Sequence, residues 1–152
     1  MKKIIEIEAV KRFISNSQII FDESKLNVEP TEPSDIDYQG LSYQVVYADF
    51  EFQKLMGMTP KDANGVKFIE GRVRNPGGIW KDFVLDPLRK KGKYGKSAQG
   101  TILLVNSHSE PPWLEEQIQL AKTLNSNMRE IQKLYFDKIY IVCPNKNLQL
   151  FP

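Results

Sequence analysis

The first residues of the chain carry an apolar side chain at every third or fourth position. Apolar residues at this spacing form a single stripe along an α-helix, and the charged residues between them lie on its flanks. The pattern predicts a helix over residues 3–15. The positions that form the stripe are Ile4, Ile7, Val10, Phe13 and Ile14.

Two segments with β-strand character follow this helix. Residues 18–21 are short and apolar and predict a strand, and the polar, proline-containing residues 22–33 predict a loop. Residues 34–52 contain two β-rich runs separated by Gln39 and Gly40. Glycine adopts the positive φ of a tight turn at little cost, so the sequence predicts an antiparallel hairpin here.

The C-terminal part of the chain predicts a β-α-β unit. Residues 100–106 form a continuous apolar run, which is typical of a central strand buried on both faces. Residues 113–134 have apolar positions at helical spacing, and residues 138–143 form a second β-rich run. A β-α-β connection joins parallel strands by a right-handed crossover.

Residues 54–98 contain many glycines and prolines and predict an irregular insertion. Together the elements predict an α/β fold with a mixed central sheet and flanking helices. The length of 152 residues is that of one domain.

Composition limits the classes of function. A single cysteine, Cys143, allows no internal disulfide, and a reducing, cytoplasmic location is expected. Charged residues interrupt the first segment, so no export signal is expected, and no apolar run is long enough to span a membrane. The net charge of +2 is too small to imply a nucleic-acid partner by itself.

The hairpin contains a recognisable motif. Pro33-Ser34-Asp35 precedes one strand, a glycine turn follows, and Gln44-Val45-Val46 lies in the next strand. These residues, together with the order of the elements, resemble the motif region of the PD-(D/E)xK nuclease superfamily. The resemblance implies a restriction-endonuclease-like core and phosphodiester hydrolysis with Mg²⁺ or Mn²⁺, which converging carboxylates hold in such sites.

The resemblance implies a set of site residues. Asp35 and Gln44 would be metal ligands, and a helix carboxylate, Glu8 or its neighbour Glu6, would complete the catalytic group; Glu8 is preferred by position. The chain departs from the family pattern, which has an acid at position 44 and a lysine at position 46. Gln44 brings an oxygen without charge, and Val46 can neither orient water nor stabilise an oxyanion.

These departures leave several functions open. The chain is interpreted as a metal-dependent nuclease or a nuclease-derived nucleic-acid-binding protein with an altered site. The alternative is a non-enzymatic protein interaction module on the same fold. Asp35, Gln44 and Glu8 are also compatible with ordinary turn, strand and helix-surface positions.

A basic segment offers a second interpretation in terms of nucleic acid. Lysines neutralise phosphate charge, glycines allow close approach, and Tyr94 could stack on a base; a solvated surface loop is the alternative. The basic residues are Arg89, Lys90, Lys91, Lys93 and Lys96. His108 follows a predicted strand and suggests a third hypothesis, a small-molecule enzyme, but a lone histidine supplies no ligand set for zinc.

Overall fold

A six-stranded mixed sheet organises the part of the chain that the computed structural model describes, residues 2–47, 85–107 and 125–152. The strands lie in the sheet in the order of the sequence. The three central strands are parallel and the outer pairs are antiparallel, which confirms the predicted α/β class with a mixed sheet. The strands are β1 (Leu26–Asn27), β2 (Ile36–Tyr38), β3 (Leu41–Tyr47), β4 (Thr101–Asn106), β5 (Lys138–Val142) and β6 (Asn147–Phe151).

Three α-helices lie within the described ranges, and two 3₁₀ segments accompany them. The α-helices are α1 (Lys2–Asn16), α2 (Asp86–Lys90) and α3 (Asn125–Gln132), and the 3₁₀ segments are Glu23–Lys25 and Lys91–Ala98. Of the predicted irregular insertion, residues 85–98 are described, and they form short helices that bury Leu85, Leu88 and Ala98. Residues 54–84 and the first part of the predicted helix at 113–134 lie outside the described ranges. No described helix has the length and apolarity needed to cross a membrane.

The two faces of the sheet carry separate apolar clusters. The predicted helix is confirmed as α1, which covers one face with Ala9, Val10, Phe13 and Ile14, although Ile4 of the predicted stripe is 60% exposed. The short helices α2 and α3 cover the opposite face. The strand residues beneath them are Val46, Leu103, Val105, Ile139 and Ile141. The predicted central strand is confirmed as β4, in which only Ile102 is not fully buried.

The predicted hairpin is confirmed. Tyr38 pairs with Leu41, so the turn between them has two residues, Gln39 and Gly40. Both have positive φ, 49° and 79° respectively, as a type I′ turn requires.

The predicted strand at 18–21 is wrong. The chain leaves α1 through a Schellman turn, in which the Ile19 N–H donates to the Ile14 carbonyl (3.3 Å) and the Gln18 N–H to the Ser15 carbonyl (3.0 Å). Gln18 occupies the left-handed position with φ 62°, and Ile20 is 92% exposed. The short apolar run therefore marks the end of a helix.

The sequence patterns also missed the two edge strands. β1 has only two residues and lies within the predicted loop, where Leu26 pairs with Tyr38. β6 alternates buried Leu148 and Leu150 with more exposed neighbours. This alternation spans only five residues, which is too short for the sequence pattern to indicate a strand.

Candidate functional site

Asp35 lies at the entry of β2, one residue before the first pair of the hairpin. Ile36 pairs with Tyr43 in the antiparallel register, and the Asp35 N–H also donates to the Tyr43 carbonyl (2.7 Å). This bond is shifted by one residue from the register that would pair Asp35 with Gln44. In β3, Tyr43 and Val45 face α1, so Gln44 lies on the opposite face of the sheet, together with Val46.

The Asp35 carboxylate is fixed by the backbone of β3. Its Oδ2 atom accepts a hydrogen bond from the Val45 N–H (2.9 Å), in the place where a carbonyl of β2 would continue the ladder. The carboxylate therefore lies at the edge where β2 separates from β3. Asp35 is half-buried, so this edge is accessible to solvent.

Glu6 of α1 reaches the same edge. Its side chain is buried, with 4% of the residue exposed, and it is hydrogen-bonded to the Asp35 side chain. Burial raises the pKa of Glu6, and the negative charge of Asp35 and the hydrogen bond to it raise this pKa further. Lys3 opposes the shift: its Nζ lies 3.5 Å from Glu6 Oε1 and donates to the Asp35 main-chain carbonyl (2.8 Å).

Gln44 has an unpaired acceptor on the sheet face opposite α1. The residue is 1% exposed, and its Nε2 donates to the carbonyl of Pro33. This bond assigns the orientation of the amide, because a carbonyl can only accept. The Oε1 atom is buried and has no hydrogen-bond partner. A buried acceptor left without a donor costs about 1–3 kcal/mol.

The helix carboxylate that lies beside Asp35 is Glu6, and the preferred Glu8 lies elsewhere on α1. Glu8 is exposed on α1. Two residues correspond to about 200° of rotation around a helix, so Glu6 and Glu8 point in nearly opposite directions. The spacing already contained this information, because Glu6 lies one turn before the buried Val10 and Glu8 does not.

The neighbouring Asp37 has a structural role. The Ser34 hydroxyl donates to Asp37 Oδ1 (2.6 Å) and to the Ile36 carbonyl (2.9 Å). These bonds hold the turn that leads into β2. Asp37 is therefore engaged in the local backbone and is separate from the Glu6–Asp35 pair.

The described residues limit the kind of metal site that the chain offers. Among them, no group of three or more His, Cys, Asp or Glu side chains is arranged to hold a metal ion. The set around Asp35 consists of two carboxyl groups, those of Asp35 and Glu6. An ion bound there would need water or ligand oxygens to complete its coordination.

The basic segment lies on the face of the sheet opposite α1. Arg89 forms an ion pair with Glu130 of α3, and Lys93 Nζ lies 5.1 Å from the ring centre of Tyr94. Lys90 and Lys96 are exposed and Lys91 is half-buried. The segment is therefore a charged surface whose helices pack on the apolar core. His108 lies outside the described residues.

Comparison with known proteins gives one informative result. No family model matches the chain, and no curated protein sequence is similar to it. A solved structure with a similar fold is that of PA4535 from Pseudomonas aeruginosa strain PAO1, a protein of unknown function described as a member of the monooxygenase superfamily. The TM-score is 0.58 and the identity 15%, with 99% of this chain and 73% of that chain covered. At this identity the likeness concerns the fold alone.

This likeness corrects the nuclease interpretation. The fold is similar to that of a protein described as a monooxygenase-superfamily member, and not to that of a restriction endonuclease. The resemblance to the PD-(D/E)xK superfamily is therefore wrong, as are the nuclease and interaction-module functions that were based on it. A nucleic-acid partner has no support from the basic segment or from the fold. Asp35 and Gln44 remain of interest for their geometry.

Proposed function

We propose that the chain binds a divalent metal ion between Glu6 and Asp35. The observation that carries this proposal is the pair of carboxyl groups at the entry of β2, where the buried Glu6 interacts with Asp35. Lys3 lies beside both residues, 3.5 Å from Glu6 Oε1 and 2.8 Å from the Asp35 main-chain carbonyl. The protein thus supplies carboxylate oxygen atoms from two side chains at one edge of the sheet.

A pair of carboxyl groups in contact requires either a shared proton or a cation, because two negative charges repel at this distance. The Lys3 ammonium group partly supplies the positive charge, because it lies 3.5 Å from Glu6 Oε1 and donates to the Asp35 main-chain carbonyl. A divalent cation would neutralise both carboxylates at neutral pH.

The ligand atoms select the class of ion. Both side chains offer oxygen, which suits hard cations with oxygen distances of about 2.0–2.6 Å. The expected Mg²⁺ or Mn²⁺ therefore stays a prediction about binding, separate from phosphodiester cleavage. An ion held by only two protein groups would keep open positions and would act there as a Lewis acid toward an oxygen-bearing ligand.

The test is a titration with Mn²⁺, followed by the electron paramagnetic resonance signal of the free ion. Glu6→Gln and Asp35→Asn should each weaken binding by about tenfold or more, because an amide lacks the Coulomb attraction of a carboxylate. Glu8→Gln is the matched control, since it removes the same charge from an exposed position of the same helix. Equal weakening by Glu6→Gln and Glu8→Gln, or no saturable binding by the wild type, would contradict the proposal.

A second candidate function is oxygenation, which the fold likeness favours. The similar protein is described as a monooxygenase-superfamily member, and a redox-active ion in the same site would connect the two observations. The test is oxygen uptake by protein loaded with Fe²⁺ without oxygen and then supplied with oxygen and ascorbate. Uptake faster than that of Asp35→Asn supports the function. Equal rates for the two proteins contradict it.

A further inference from the structure

Arg12 of α1 presents an incompletely paired guanidinium group. Its Nη2 atom donates to Asn106 Oδ1, and its Nε atom is buried and has no hydrogen-bond partner. Asn106 is itself 4% exposed. Arginine remains charged at all physiological pH values, so it cannot relieve this burial by losing a proton.

This pair lies at the carboxyl end of the central strand β4. Asn106 is the last residue of β4, and it pairs with Tyr47 of β3 and Val142 of β5. Arg12 therefore lies over the carboxyl ends of the three parallel strands. Ligands of open α/β sheets bind in the space outside these ends.

The charge of Arg12 is not compensated by the residues that the structure describes. Within those ranges, the recorded salt bridges join Lys3 to Glu6 and Arg89 to Glu130, and Arg12 takes part in neither. Among the described residues, the neutral Asn106 oxygen satisfies one donor of Arg12 and brings no compensating charge. An oxyanion would supply both the missing acceptor for Nε and the missing charge.

We propose that Arg12 and Asn106 form a binding site for the carboxylate or phosphate group of a small molecule. The guanidinium Nε–H is the donor toward the oxyanion, and Asn106 fixes the orientation of the guanidinium plane. The site is distinct from the proposed cation site. Arg12 follows Glu6 by six residues, which is about 9 Å along the helix axis.

The test is an NMR titration of the wild type with inorganic phosphate and, separately, with acetate, at constant ionic strength maintained with chloride. The observed signal is the Arg12 side-chain Nε–H resonance, assigned by its loss in Arg12→Lys. At least one anion should shift this resonance in a saturable manner. Tighter binding of phosphate indicates a phosphoryl ligand, and tighter binding of acetate a carboxylate, and either result supports the proposal.

Variants separate a specific site from general attraction of anions. Arg12→Lys keeps the charge but loses the planar donor group, and should weaken binding of the preferred anion by about tenfold. Lys11→Gln removes an exposed positive charge beside it and should change the affinity less than about twofold. In the variants, anion binding is measured from the backbone amide chemical shifts of residues 101–107. The proposal is overturned if neither anion binds saturably, if Arg12→Lys retains full affinity, or if Lys11→Gln weakens binding as much.

Discussion

The carboxyl groups of Glu6 and Asp35 are hydrogen-bonded to each other, although one belongs to the first helix and the other to the entry of the β2–β3 hairpin. This contact joins α1 to the edge of the sheet. It is also electrostatically unfavourable when both groups are ionised. The proposed cation converts the same contact into a binding site.

The raised pKa of Glu6 predicts how stability depends on pH. A carboxyl group whose pKa is higher in the folded protein stabilises the fold below its ordinary pKa, and this contribution is lost as the pH rises through the raised value. Glu6→Gln carries no charge at any pH. In a chelating buffer, the free energy of unfolding of Glu6→Gln minus that of the wild type should therefore increase from acid to neutral pH.

Urea denaturation at several pH values measures this difference, with Glu8→Gln as the control at an exposed position. Added Mn²⁺ should reverse the advantage of Glu6→Gln at neutral pH, because only the wild type has both carboxylates. A difference between the two proteins that stays constant with pH would show that Glu6 does not titrate as the geometry implies.

The Schellman turn after α1 predicts a stabilising substitution. Gln18 has φ 62°, a conformation that costs a non-glycine residue about 1–2 kcal/mol. Gln18→Gly should raise the free energy of unfolding by about 1 kcal/mol. Ser15→Gly, within the helix, should instead lower it by about 0.5–1 kcal/mol. Thermal unfolding distinguishes the two, and a loss of stability in Gln18→Gly would contradict the assigned turn.

Asn147 connects β6 to the end of α1. Its Nδ2 donates to the Phe13 carbonyl (2.8 Å), and its Oδ1 accepts from Asn16 Nδ2 (3.0 Å). Asn147→Ala should lower the free energy of unfolding by about 1 kcal/mol, because it removes hydrogen bonds that join β6 to the end of α1. Lys133→Ala, at an exposed position, is the control, and equal effects in chemical denaturation would indicate that the bonds contribute nothing.

The fold was predictable where a pattern had one physical meaning. The apolar run at 100–106 could only be a buried element, and Gln39-Gly40 between two β-rich runs could only be a turn. The apolar run at 18–21 is compatible with either a strand or the end of a helix. The chain forms a helix end there, with Gln18 at positive φ. Short apolar segments do not contain enough periodicity to distinguish these states.

The site was predictable only in part. The hairpin motif predicted the turn and its two strands, but not the one-residue shift at Asp35 or the position of Gln44 on the face opposite α1. It did not identify a reaction, since an acid at a strand entry is compatible with many functions. Arg12 was missed altogether, because its contact with Asn106 joins distant parts of the sequence and no local pattern encodes it.

The most direct test of the cation site is a crystal structure of the protein grown with Mn²⁺, with the ion located by its anomalous scattering. The account predicts one strong peak within about 2.0–2.6 Å of carboxylate oxygen atoms of both Glu6 and Asp35. A structure without a peak at this edge of the sheet, or with an ion that contacts neither carboxylate, would contradict the account.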